Sequence, residues 1–221
     1  MSLREDIIPY IDKNDMVAPN LEQVSIGSDN GVLFTSHYLM LLNQQGQLSL
    51  KDEIQFERLV ERCYIVQGLL SRAPGNLDQD SPDNMVGACS ISRKVAFDVY
   101  TYGKSNGWVY NQENPGTFTI RAFLGRQVGL MGWLRYRATG EAPNLLHILF
   151  LWVGAYLTLK LPENDVSDRI LLVRIMEGLP NKGLLKLLKS YCNKKLEAMG
   201  GLKQCFLIYF GKNHPLYKYC P

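Results

Sequence analysis

Apolar residues recur along most of this chain with a helical period. Residues 31–45, GVLFTSHYLMLLNQQ, place Val32, Leu33, Tyr38, Leu39, Leu41 and Leu42 on that spacing, behind a Ser-Asp-Asn able to cap a helix. GQLS interrupts the pattern. Ser49 is then placed to cap a second helix, LKDEIQFERLVERCYIVQGLL, whose first turn carries Asp52 and Glu53, where the helix dipole favours negative charge. Ile54, Phe56, Leu59, Val60, Cys63 and Ile65 supply its apolar face.

A polar run at residues 71–88, SRAPGNLDQDSPDNMVGA, leads into a third helix predicted over 82–102 and ended by Gly103. Residues 119–140 read as a fourth helix although it contains Gly125, Gly129 and Gly132. Each interior glycine costs about 1 kcal/mol relative to alanine, so close approach of another backbone is the expected compensation. Pro143 opens a fifth helix through the apolar stretch 145–161. A sixth follows over 169–177, and 181–201 give an amphipathic seventh with a basic face. Residues 206–209 in the aromatic tail suit a short strand or a packed extended segment equally well. The fold class expected is therefore all-α: one helical domain over 1–221, with 201–221 as an aromatic docking tail.

Composition narrows the partners. At 221 residues and 46% hydrophobic the chain can bury a sizeable core, and a formal charge of +3 is far from the basic field of a nucleic-acid binder. Five widely spaced cysteines, an odd number, suggest free thiols in a reducing cytosol. There is no CxxC pair, and His37, His147 and His214 are far apart in sequence, so structural zinc has little support. The start MSLREDIIPYIDKND lacks a signal-peptide pattern, and export by that route is not expected. The stretch 145–161 falls short of a span of about 20 residues and carries His147, Tyr156, Thr158 and Lys160, so it is read as a buried helix. Neither a membrane nor a nucleic acid is an expected partner.

The chain contains an internal echo. SIGSDNGVLFTSHY at 25–38 and QDSPDNMVGACSIS at 79–92 both set Ser, Asp and Asn directly before a helix, and Glu113 and Asn114 stand at a similar third junction. If the repeat unit is a helical hairpin, each Asp-Asn pair marks the same end of successive inner helices and the polar residues share one rim. SDNGVLFTSHY, GLLSRAP, DSPDNMVG and WVYNQENPGTF resemble a group of tailed-phage proteins whose hairpins are similar to those of α/α-toroid carbohydrate-active enzymes, over roughly residues 25 to 180. That resemblance implies helical hairpins wound as a partial or complete toroid, a phage origin with a place in the host cytoplasm or a virion, and a sugar-facing groove.

Glycoside cleavage needs one carboxyl kept protonated and another kept ionised across a cleft. Asp29, Asp83 and Glu113 are the catalytic candidates because each sits at an inferred helix entrance. Trp108 and Tyr110, with Phe118, can stack on sugar faces, while Arg72, Arg121 and Arg126 can hold anionic groups. Capping by itself accounts for Asp29 and Asp83, however, and Glu113 precedes an Asn-Pro-Gly turn. The tryptophans fit core anchors and His147 a core histidine.

No cofactor is expected; a loose calcium site at Asp78, Asp80 and Asp83 is the one metal alternative, the EF-hand spacing being absent. GxSxG, GxGxxG and Walker patterns are also absent. The expectation is a phage-type structural or interaction protein, possessing a glycan-facing groove and a protein partner or second copy bound through the tail. The alternative is a glycoside hydrolase or lyase using carboxylates at helix starts.

Overall fold

In the computed structural model the described residues are 2–74, 82–108, 123–160 and 166–221, and the side chains at 82, 123–128 and 166–167 lie outside the description. These residues are mostly helical. Ser2 and Glu5 form a reciprocal capping box that starts α1 (Leu3–Asp6), and a 3-10 turn (Ile8–Tyr10) and α2 (Glu22–Ile26) follow. Between them the buried Asp12 carboxylate accepts from the amides of Asn14, Met16 and Ser28 at 2.8–3.0 Å, which folds the entry loop against the residues preceding the next helix.

The predicted helix behind Ser-Asp-Asn is α3 (Gly31–Gln44), and 11 of its 14 residues are buried, which makes it the central helix. The Ser49 cap is also present. Ser49 and Asp52 form a capping box at the start of α4 (Leu50–Glu61), and Arg4 clamps the same carboxylate through both guanidinium nitrogens at 2.9 and 2.7 Å.

Three predicted elements differ from the structure. The second helix stops at Glu61, and CYIVQGLL instead forms a hairpin of β1 (Tyr64–Val66) and β2 (Leu69–Leu70). Gly68 turns it at φ +85°, and a Cβ there would lie 2.3 Å from the Asp98 carbonyl. The third helix is two: α5 (Pro82–Ile91) and α6 (Arg93–Ser105) break at Ser92, whose hydroxyl caps Val95 N at 3.1 Å and donates to Glu57 at 2.6 Å. This tertiary bond and the new cap together offset the lost helical continuity, and α6 runs on through Gly103 to end before Gly107 at φ +62°. The tail is neither strand nor extended segment, but α11 (Gly201–Phe210) and α12 (Pro215–Lys218), after α7 (Phe123–Thr139), α8 (Leu145–Thr158), α9 (Val166–Gly178) and α10 (Gly183–Glu197).

α7 and α8 form a close hairpin, and the glycines explain it. A Cβ at Gly129 would meet Leu151 N at 3.0 Å, and one at Gly132 would lie 2.5 Å from His147 Cβ. α3 packs on α5, α5 on α9, α9 on α11, and α12 returns to α3 and α1, so the end of the chain closes on its beginning. The buried hydrophobics form one cluster reaching from Leu3 to Cys220. All five cysteines are free and buried, and burial pushes the Cys63, Cys192 and Cys220 thiols up to about 12.

Candidate functional site

The two Ser-Asp-Asn-like junctions meet. Asn84 Nδ2 donates to Asn30 Oδ1 at 3.0 Å, and Asn84 Oδ1 accepts from Leu33 N at 2.8 Å. Asn30 itself makes no side-chain cap. The amide in the first turn of α3 is satisfied by the neighbouring helix, a role that sequence reasoning gave to residues directly before α3. One turn further on, Gly87 brings α5 so close that a Cβ would lie 2.5 Å from Ser36 Oγ. The helices α3 and α5 therefore run parallel with their starts side by side.

Below that contact lies a buried polar cluster that the sequence did not single out. Arg174, from α9, donates to Ser90 Oγ at 2.8 Å, to the Ser36 carbonyl, and to His37 Nδ1 at 3.1 Å. An arginine has no acceptor, so His37 carries its proton on Nε2. Desolvation first, and the Arg174 charge second, lower the His37 pKa well below its usual value, leaving the imidazole neutral. Burial also pulls the Arg174 guanidinium down to about 9, still protonated at neutral pH. Arg137, from α7, donates to the carbonyls of Cys89 and Ser90 at 3.2 and 3.0 Å and so caps the end of α5. With His37, Ser36 and Arg174 each at most 3% exposed, this network ties α3, α5, α7 and α9 together in the interior, leaving His37 Nε2 and Arg174 Nε without a hydrogen-bond partner among the described residues.

The predicted site residues are dispersed around this centre. Asp29 is exposed at the start of α3, whereas Asp83 is half-buried in the first turn of α5. Tyr209 of α11 is close to Asp83: burial pushes its phenol up to about 12, with the Asp83 charge adding to the shift. Trp108 sits at φ +64°, half-buried and edge-on to Tyr100 at 5.6 Å, so one side of its indole is already used for packing. Arg72 is half-buried just after β2. Tyr110, Glu113, Phe118 and Arg121 lie outside the described residues, as do Asp78 and Asp80 of the calcium alternative, and so does the Arg126 side chain. Among the described residues no three His, Cys, Asp or Glu side chains gather as a metal-binding group.

The histidines and the tail add two findings. His147 is half-buried against Gly132, and its Nδ1 has no hydrogen-bond partner among the described residues, so it is not the satisfied core histidine expected. The tail turns inward. Phe206 and Leu216 are fully buried, Phe210 stacks on His214 at 4.7 Å, and Ile208 is its one exposed large hydrophobic.

A contiguous exposed apolar surface lies on α8. Leu145 (71% exposed), Leu146, Leu149 (57%), Val153, Tyr156 (51%) and Leu157 occupy a single outward arc of that helix, while Leu151, Gly154, Ala155 and Thr158 face inward. The helix expected to be buried is therefore covered on one side only. No protein family, curated protein or solved structure matches the chain.

Proposed function

We propose that the chain is a structural or interaction protein of a tailed phage, built on an α/α-toroid-like scaffold and working by docking rather than by catalysis. The observation that carries this reading is the outward arc of α8: a helix apolar on all sides belongs in an interior, and half of this one is open to solvent. Supporting it, the most densely connected polar groups, Arg174, His37, Ser36 and Ser90, link three helices to one another. The toroid-like element of the proposal draws on the parallel, side-by-side starts of α3 and α5, and the phage element on the resemblance carried by SDNGVLFTSHY and DSPDNMVG.

A second reading, a glycoside hydrolase or lyase, is favoured by the bond between Asn30 and Asn84, which brings the junctions holding Asp29 and Asp83 together. A glycan array paired with a reducing-end release assay separates the two. Wild type is expected to release no sugar. Release that vanishes in Asp29→Asn or Asp83→Asn at equal folded fraction would replace the docking reading with the hydrolase.

A further inference from the structure

The arc on α8 extends to a second helix. Trp152 of α8 lies against Tyr191 of α10, with ring centroids 5.4 Å apart, and Leu187 and Leu184, one and two turns before Tyr191 on the same edge of α10, are both exposed. The α8 portion is 14 residues, about 21 Å, without a charged side chain. Lysines flank it, and Lys194 and Lys195 share the Tyr191 edge of α10. Lys160 closes the end of α8 with its ammonium 5.7 Å from the Tyr156 ring centroid, and α10 with its flanks contributes Lys182, Lys186, Lys189, Lys194 and Lys195.

Residues 145–160 and 182–199 thus hold six lysines against the single Glu197, a formal +5, while the whole chain is only +3 and the remainder is therefore −2. Lys189 is occupied, donating to the Leu179 carbonyl; the other five are exposed.

We infer that the α8 and α10 face docks on an anionic lipid bilayer, lying in the interface with its leucines below the headgroups and its lysines among them. This rests on the docking reading above and names its partner. A leucine-rich surface rimmed by lysines whose stems lie along apolar surface is the arrangement that binds such an interface, where apolar burial and attraction to anionic headgroups add. A second copy of the chain suits the face less well, because a two-fold contact would set Lys160, Lys194 and Lys195 of each copy against those of the other. Among the described residues no helix is long and apolar enough to cross a membrane. The sequence alone pointed away from a membrane because residues 145–161 fall short of a span and carry polar residues, and because the lysines of 182–199 read as a solvated face.

The test is flotation of the full chain with phosphatidylcholine vesicles and with vesicles of phosphatidylcholine and phosphatidylglycerol, alongside sedimentation velocity without lipid. Partition onto the anionic vesicles is expected to be roughly tenfold or more tighter, and to weaken with salt. The double variant Leu149→Glu, Val153→Glu, at exposed positions, is expected to stay in solution, and Lys194→Glu, Lys195→Glu to lose the anionic preference, each keeping the wild-type circular dichroism. Absence of flotation with either vesicle, or equal flotation with both, overturns the proposal. If flotation fails and wild type sediments as an oligomer that Leu149→Glu, Val153→Glu dissociates, the face belongs to a second copy and the docking reading survives. A monomer indifferent to lipid and to both variants removes the membrane proposal and leaves the docking reading to the sugar-release assay.

Discussion

Removing the Asn84 carboxamide takes away the acceptor for the Leu33 amide and the donor to Asn30 in one step. Asn84 is fully buried, so no water replaces it, and a buried donor left without an acceptor costs about 1–3 kcal/mol. Asn84→Ala is expected to lower unfolding free energy by about 2 kcal/mol in urea titrations. Asp29→Ala, at an exposed neighbour of the same contact, is expected to stay within about 0.5 kcal/mol of wild type. Equal losses in the two would mean that the junction is held by Asp29 rather than by the asparagine pair. The Asp-Asn pairs stood out in the sequence as helix starts, and they are; that the second asparagine caps the first helix depends on the two helices lying parallel, which local pattern does not encode.

Between elements, contact distance is set by what is missing from side chains. Gly132 permits α7 to approach α8 until His147 Cβ would touch an added methyl at 2.5 Å, and both helices would have to shift to admit it. Gly132→Ala raises helix propensity yet is expected to destabilise by about 1–3 kcal/mol through overpacking, read as a lower thermal midpoint. A gain in stability would show that propensity outweighs packing at this contact. The three glycines announced a close contact in the sequence, although not which helix would make it. Helix ends were less legible. Ser92 breaks what looks like one helix because Glu57, on α4, accepts its hydroxyl hydrogen, and Tyr64, Ile65 and Val66 leave the helix for a hairpin whose Gly68 turn sits against α6. Both boundaries answer to residues more than 30 positions away.

For the whole molecule, two neutral imidazoles stand where the last elements meet the first. His37 of α3 faces Phe206 and Phe210 edge-on, and His214 donates from Nε2 to the Ala18 carbonyl while its Nδ1 accepts from Leu216 N. Burial pulls His214 down from 6.5 to about 4 and places His37 well below 6.5. Because the native pKa is the lower one, the unfolded chain takes up protons first. Stability is full above pH 6.5 and falls as pH drops toward about 4, on the order of 3 kcal/mol from His214 alone. Urea midpoints at pH 7.5 and 4.5 are expected to show the loss, and His214→Asn, which keeps a capping acceptor, to show less of it. A pH-independent midpoint would place both imidazoles in contact with solvent.

By itself the sequence determined the helical class, the Ser49 helix start, the free thiols and the tight glycine contact, since each depends on residues within a few turns of one another. Only the tertiary structure decided that the aromatic tail is core and that α8 is open on one side. Hydrophobic periodicity reports how much apolar surface a segment carries; which neighbour covers that surface, or whether any does, is set by the packing of distant segments.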